Sequence, residues 1–402
     1  MKLKTNILLL LLTLWLVPAK AHDYLGSLTL SDSARVCLVT CGPGNDFYTT
    51  FGHTAIRVTD PAINLDKVYN YGTFNFNIPH FYLTFARGKL DYCLSRTEFA
   101  YFLMEYQYEG RSVYQQQLQL SPEEVNRIFR SLEDNYLEEN RYYKYDFFRD
   151  NCATRVRDII INNLDGKAAY TETTSDTNLT YRELLHRHTG NNLMWWQLGI
   201  DLLLGQRCDR PLSSFEYMFL PDDLMAQTDT ATLGLTREPL ADAPQMLLAE
   251  TRTPPTASFP PTLAFWFLFV VAASLPVIEW GRNAKADSSD AKVKRINFTW
   301  FDAILFSLAS LISLVLIFMW FGTDHYCTKA NWNLLWANPL FIYMLARLRR
   351  PSRVTAGLLA VVLLLTAIGF QLLPQRLNPA LLPVVLTLFI RTLNKLRKHP
   401  RP

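Results

Sequence analysis

The 402-residue chain carries 40 Lys+Arg against 36 Asp+Glu, and the near-neutral total of +4 conceals two opposite bodies. Residues 258–402 hold 16 basic and 5 acidic side chains (+11), whereas residues 22–257 hold 21 and 31 (−10). An acidic half beside a basic, very apolar one excludes a plain nucleic-acid binder, and an apolar content of 49% excludes disorder and collagen-like structure.

Lys2 and Lys4 precede an apolar run from Ile7 to Val17, and Ala19-Lys20-Ala21 has the small-x-small form that a signal peptidase cuts. Residues 1–21 are therefore expected to be a signal peptide, leaving His22 first. No Cys follows the cut, so the mature chain is not itself expected to be a lipoprotein. The alternative is an uncleaved anchor, for which the apolar core is short.

Residues 22–240 read as an extracytoplasmic α+β domain. Strands are predicted at 36–40, 53–58, 68–74 and 113–120, rich in β-branched and aromatic residues and bounded by turns such as Gly42-Pro43-Gly44. A helix is predicted from Ser121-Pro122-Glu123-Glu124, with Ser121 as cap and Pro122 at the first helical position. A second begins near Cys152, and there is no βαβ alternation.

Cys37 and Cys41 fall on one predicted strand, about 13 Å apart, too far to bridge. Cys93, Cys208 and Cys327 stand isolated in the sequence. Cys152 is different. Asp150 or Asn151 is a natural N-cap, and Val156, Ile159 and Ile160 then recur at helical spacing. Cys152 falls in the first turn of that helix, where free N–H groups and the helix dipole favour the thiolate. The plainer alternative is a small buried hydrophobe.

A thiolate nucleophile needs a base held by a third group. His53 follows Gly52 at a strand start, and Asn70 on the next strand is the candidate to orient its ring. Each has a structural alternative as an ordinary hydrogen-bonding residue. His186 and His188 form a weak metal-type pair, and no metal or cofactor is expected. His22, His80 and His399 lack catalytic context.

A Pro/Thr/Ala-rich tether is expected at 241–259, followed by a membrane domain at 260–402. Apolar stretches at 260–280, 299–321, 334–346, 354–373 and 379–390 predict an all-α bundle of about five spans. The third and fifth are short and contain Pro339 and Pro383. One set of loops holds Arg282, Lys285, Lys292, Lys294, Arg295, Arg347, Arg349, Arg350, Arg353 and the tail from Arg391 to Arg401. The opposite loops hold only Lys329 and Arg376, so the positive-inside rule puts the C-terminus in the cytoplasm and residues 22–257 in the periplasm. In the loop 323–333, His325, Asn331, Asp324 and Asn333 are candidates for lipid access or docking, against simple interfacial anchoring by Trp332 and Trp336.

The order His, polar residue, then Cys at a helix start resembles circularly permuted papain-like (NlpC-type) hydrolases and the lecithin:retinol acyltransferase group, which the pair Asn151-Cys152 also resembles. Thr40-Cys41-Gly42-Pro43-Gly44, Phe51-Gly52-His53, Tyr69-Asn70-Tyr71-Gly72-Thr73-Phe74 and Asp150-Asn151-Cys152-Ala153-Thr154 resemble, more closely, the Lnb-type family of Bacteroidota membrane proteins. Trp195-Trp196, Phe219-Leu220-Pro221-Asp222 and Asn331-Trp332-Asn333-Leu334-Leu335-Trp336 fit as well, so the resemblance covers nearly the whole mature chain. It implies an inner-membrane lipoprotein N-acyltransferase, moving an acyl chain from a phospholipid donor to the α-amine of a diacylated lipoprotein acceptor. It also implies Cys152 as nucleophile and His53 as base; Asn70 as third member comes from the residues alone. Asn151, His325 and Asn331 are carried as substrate-binding candidates. Two other classes stay open at this stage: a thiol-dependent cell-wall amidase or peptidase, and a non-enzymatic envelope scaffold.

Overall fold

The computed structural model describes residues 24–396 except 76, 167, 171–178, 191, 235–236 and 288–295. The expected signal peptide lies outside the described residues, as do Lys292, Lys294, Arg295, Arg397, Lys398 and Arg401 of the orientation signal, and His22 and His399.

Strands β1 (Arg35–Cys41), β2 (His53–Asp60) and β3 (Leu65–Phe74) form an antiparallel meander. Helix α1 (Phe81–Ala86), β4 (Asp91–Glu98), α2 (Phe99–Glu109), β5 (Val113–Gln117), α3 (Pro122–Tyr136) and β6 (Tyr142–Lys144) follow. Next come α4 (Cys152–Asn162), β7 (Ala168–Ala169), α5 (Tyr181–Thr189), α6 (Met194–Leu203), α7 (Ser214–Tyr217) and α8 (Pro221–Thr230). Strands β8 (Thr232–Leu233), β9 (Glu238–Pro239) and β10 (Gln245–Leu248) close the N-terminal half. The main sheet runs β10-β5-β1-β2-β3-β4-β6 with every neighbour antiparallel, and β7-β8-β9 form a small second sheet.

The period of two along each strand distributes the core between the sheet's faces. Val36, Leu38, Ile56, Tyr69 and Tyr71 face helices α3 and α4, where Ile128, Phe129, Val156 and Ile160 meet them. Val39, Ala55 and Val68 face the other way, onto Phe99, Phe102 and Tyr106 of α2. Helix α3 begins at the Ser121 cap read from the sequence, and the structure adds a reciprocal box: Ser121 accepts from the Glu124 amide and Glu124 accepts from the Ser121 amide. Such a cap contributes about 1 kcal/mol. The N-terminal half is thus a sheet-rich mixed α/β domain, and the C-terminal region is helical.

The stretch expected to be a tether is, in its first half, part of this domain. Strand β10 adds to the sheet edge at β5, and the amides of Thr251 and Arg252 both donate to the Gly110 carbonyl. A Pro/Thr/Ala composition conceals this because an edge strand needs backbone pairing more than apolar side chains.

Beyond it lie α9 (Pro261–Asp287), α10 (Thr299–Phe321), α11 (Leu340–Ala346), α12 (Arg353–Ile368) and α13 (Leu382–Asn394). Among the described residues two helices, α9 and α10, are long and apolar enough to cross a membrane. The third expected span splits into a 3-10 turn (Trp332–Leu335) and α11, whose seven residues reach only about 10 Å. Pro339 and Pro383 do not interrupt helices; they stand at the starts of α11 and α13, where a missing N–H costs nothing.

Arg391 is not a loop charge. It is fully buried in α13, with Nε 2.6 Å from Asp302 Oδ1 of α10, while Lys395 also pairs with Asp302. Asn394 donates to Glu279 of α9 at 2.8 Å, so one polar cluster ties three helices together.

The two halves meet in a joint built on the end of α6. A helix end leaves carbonyls without intrahelical partners. Here side-chain amides of the C-terminal region answer them: Asn331 Nδ2 donates to Leu202 O at 2.8 Å and Gln375 Nε2 donates to Leu204 O at 2.8 Å. Arg182, itself buried, bridges Asp201 and Asp209 at 2.7 Å each, and Asn378 donates to Asp201 at 2.8 Å. Close backbone approach requires Gly205, where a Cβ would stand 2.0 Å from the Lys329 carbonyl oxygen.

Candidate active site

Cys152 is the first residue of α4, and Asn151 is its N-cap. The Asn151 carboxamide accepts from the Thr154 amide at 2.9 Å and donates to the carbonyls of Phe147 and Phe219 at 2.8 Å each. Thr154 Oγ1 in turn accepts from the Asn151 amide at 2.8 Å. The cap therefore fixes where the helix starts and, with it, the direction of the Cys152 side chain. Asn151 is an anchor beneath the thiol, and its donors and acceptor are already engaged.

His53 opens β2, opposite Cys41 of β1. Gly52 makes that start feasible: its φ is +75°, and a Cβ there would lie 2.7 Å from the Cys41 carbonyl oxygen. Asn70 sits on β3, next to a register shift between Asn70 and Thr73. Such a bulge re-aims side chains locally. Within it, Gly72 has φ +99°, and a Cβ on it would approach both the His53 ring (3.7 Å) and Cys152 Cβ (3.9 Å). Nε2 of His53 lies 2.5 Å from Asn70 Oδ1, and the His53 side chain hydrogen-bonds Cys152 as well. The structure thus brings Cys152, His53 and Asn70 into one chain of contacts.

Burial opposes a charged Cys152, but the adjacent His53 charge, its hydrogen bond, and the amides of Thr54 and Ala153 outweigh that and hold the thiol below its usual range. His53 moves in the complementary sense: burial disfavours its cation, yet the neighbouring Cys152 thiolate and the hydrogen bonds from Cys152 and Asn70 raise it. The two shifts favour a thiolate–imidazolium pair, the reactive form of a cysteine nucleophile. Two buried thiols are pushed the opposite way, Cys37 to about 11 and Cys41 to about 12, chiefly by burial.

Above the pair is a cavity of about 340 Å³, walled by Tyr48, Phe74, Tyr92, Tyr145, Phe147 and Phe219 among others. Arg111 is its one guanidinium among the described residues, beside Glu105 and Glu109. Arg111 Nε donates to the Gly42 carbonyl at 2.8 Å, and Nη1 to Glu109 at 2.9 Å. Neither the aromatic walls nor Arg111 is visible as a motif, because they come from separate strands and turns. The clustering of Phe and Tyr at 74, 92, 145 and 147 was the available signal.

The other candidates lie elsewhere. Asn331 is 1% exposed and serves the joint described above, while His325 stacks on Gly88 after α1; neither lines the cavity. Trp336 is buried, with Nε1 donating to Asn333 at 2.8 Å, so it is not an interfacial anchor. His186 is held by Asp201 at 2.9 Å, and the His188 ring packs edge-on against Phe51. All six cysteines are free, but Cys208 and Cys327 are not isolated: the Cys208 thiol lies 3.7 Å from the Cys327 carbonyl across the joint.

Two sequence profiles match the chain. That of the Lnb N-terminal periplasmic domain covers residues 22–187, and that of the Lnb transmembrane domain covers residues 253–400. No curated protein and no solved structure matches.

Proposed function

The chain belongs to the Lnb family, membrane proteins with a periplasmic domain and a transmembrane domain, and from that premise we propose that it is a lipoprotein N-acyltransferase working through a Cys152 thioester. The observation that carries this reading is the Cys152–His53–Asn70 chain at the floor of an aromatic cavity, on a domain locked to membrane helices. The order of these residues, histidine and asparagine on strands and then cysteine at a helix start, is that of a circularly permuted papain-like fold.

In the first half-reaction the Cys152 thiolate attacks an ester carbonyl of a phospholipid. The oxyanion forms at the start of α4, where the Cys152 backbone N–H and the helix dipole stabilise it. His53, cationic in the resting pair, protonates the departing glycerol oxygen, and lysolipid leaves. In the second half the α-amine of a diacylated lipoprotein attacks the thioester. Neutral His53 takes the amine proton, the C–S bond breaks, and the thiolate–imidazolium pair is restored. Asn70 holds Nε2 throughout, so Nδ1 stays aimed at sulfur.

Both substrates are membrane-bound, which gives a reason for joining the domain to membrane helices. The charge distribution of the loops supports an inner-membrane protein with the catalytic domain in the periplasm and the C-terminus in the cytoplasm. Mass spectrometry of lipoprotein N-termini from cells carrying Cys152→Ala tests the reading: free α-amines are expected, and unchanged N-acylation overturns it. Release of muropeptides by the wild-type protein, blocked by a thiol alkylator, would favour a cell-wall amidase instead.

A further inference from the structure

Helix α1 has a composition that a water-exposed turn of helix does not need. From Asn75 to Ala86 the chain has no Asp, Glu, Lys or Arg. Tyr82 is 84% exposed, Leu83 52% and Phe85 42%. Large apolar side chains gathered on so short a surface mark a contact with a partner or a membrane.

The structure places that surface next to a membrane helix. Helix α10 ends at Phe321, and three residues later the Asp324 amide donates to the Arg87 carbonyl at 2.9 Å, one residue past α1. Lys89 reaches Asp324 at 3.9 Å. The His325 ring lies against Gly88, whose φ of +67° and lack of a Cβ permit a contact that would otherwise be 3.2 Å. Helix α1 is therefore held beside the C-terminal end of α10.

From its half-exposed Phe85 a series of rings leads towards the thiol. Phe85 stacks on Phe81 at 6.3 Å between centroids, Phe81 stacks on Phe74 at 5.9 Å, and Phe74 lines the Cys152 cavity. A second aromatic series approaches from the other long helix. The ring of Trp195 meets Phe265 of α9, its neighbour Trp196 meets Phe47, and Phe47 meets Tyr48 on the cavity wall. One series thus runs ring by ring from the cavity to Phe85 of α1, and the other from the cavity to Trp196, whose chain neighbour Trp195 meets α9.

We propose that α1 is an entry rail: Tyr82, Leu83 and Phe85 insert into the adjoining leaflet of the bilayer, and the Phe85–Phe81–Phe74 series conducts the acyl chain of a membrane phospholipid to Cys152. This rests on the acyltransferase reading. An acyl chain that left the bilayer through water would expose every methylene, and a continuous aromatic surface removes that barrier. His325 acts here as a positioning residue, through its contact with Gly88.

The test uses the full-length protein reconstituted in phosphatidylethanolamine vesicles doped with a diazirine-tailed phospholipid. Photolysis is expected to label the segment 75–87. Leu83→Glu with Phe85→Glu, both exposed positions, should cut lysolipid release at least tenfold while leaving iodoacetamide capture of Cys152 unchanged; Leu83→Met with Phe85→Leu should restore release. Labelling confined to the membrane helices, or undiminished release by the Glu variant, overturns the rail. If the wild type labels at 75–87 but releases no lysolipid, the acyltransferase reading fails while the membrane insertion of α1 stands.

Discussion

Asn70 and His53 face each other across neighbouring strands, Oδ1 to Nε2 at 2.5 Å, and a neutral carboxamide rather than a carboxylate orients the ring. That choice matters. An aspartate would add a negative charge beside the imidazolium and deepen its hold on the proton.

Replacing Asn70 with Ala should therefore slow transfer by about tenfold to a hundredfold, less than the roughly 10²–10⁴ that a lost general base costs. KM should barely change if, as proposed, the carboxamide serves to orient the base. Asn70→Asp should shift the basic limb of the pH–rate profile upward, since the added charge raises His53 further. Steady-state kinetics against pH checks both.

Thiol reactivity should single out Cys152. It is held below the usual thiol range, while Cys37 and Cys41 are raised to about 11 and 12. At pH 7, iodoacetamide should modify Cys152 first, by peptide mass spectrometry. In His53→Ala the main charge favouring the thiolate is gone and burial remains, so the midpoint of alkylation against pH should rise. An unmoved midpoint would refute the ion pair.

Asn151 bears on both stability and chemistry. Asn151→Ala removes the α4 cap and leaves the part-buried Phe147 and buried Phe219 carbonyls without that donor. A loss of about 2 kcal/mol is expected, at the upper end for a cap. Asn151→Asp keeps the acceptor for Thr154 but adds an anion beside the thiolate. It also sets a buried carboxylate oxygen against the Phe147 and Phe219 carbonyls, so its thermal cost should be at least that of Ala, read by thermal denaturation in detergent. The anion should raise the Cys152 alkylation midpoint.

Arg182 holds the joint. Its removal leaves Asp201 and Asp209 buried without their guanidinium, a change worth about 3–5 kcal/mol for a buried pair. Asp201 keeps His186 and Asn378, which places Arg182→Met near the lower end. Burial raises Asp201, but the hydrogen bond from His186 and the charge of Arg182 hold it below the usual value. Its stabilisation is therefore complete above about pH 4, the unfolded value, and is lost as pH falls through the lower folded one. In Arg182→Met that acid loss should begin at higher pH, followed by limited proteolysis between the two halves.

Much of the site was legible because each part carries a local signal. Asn151-Cys152 precedes an apolar repeat of period 3.6, and Gly52-His53 opens an apolar strand. Strands β4 and β10 were not legible: Asp91-Tyr92-Cys93-Leu94-Ser95-Arg96-Thr97-Glu98 is too polar, and Gln245–Leu248 lies in a stretch that reads as a linker. Helix α1 has aromatics without amphipathic spacing, which makes sense for a segment whose two sides both contact apolar matter. Arg391 reads as a cytoplasmic charge because a basic residue near a membrane end usually faces the cytoplasm, whereas its partner Asp302 lies almost ninety positions away. The role of Asn331 likewise depends on the end of α6, which no local pattern links to it.

If the chain is the acyltransferase proposed above, the carbonyls of α6, answered by Asn331, Asn333 and Gln375, have a consequence for which proteins it acylates. A domain on a slack leash would sample many heights and reach amines at varied distances from the lipid. This one is fastened by side-chain amides to the C-terminal region, which would hold the thiol at a fixed distance from the membrane helices. An enzyme so built is a gauge: it would accept a protein by how close its first amine lies to the membrane surface, and would need to read nothing of the sequence that follows.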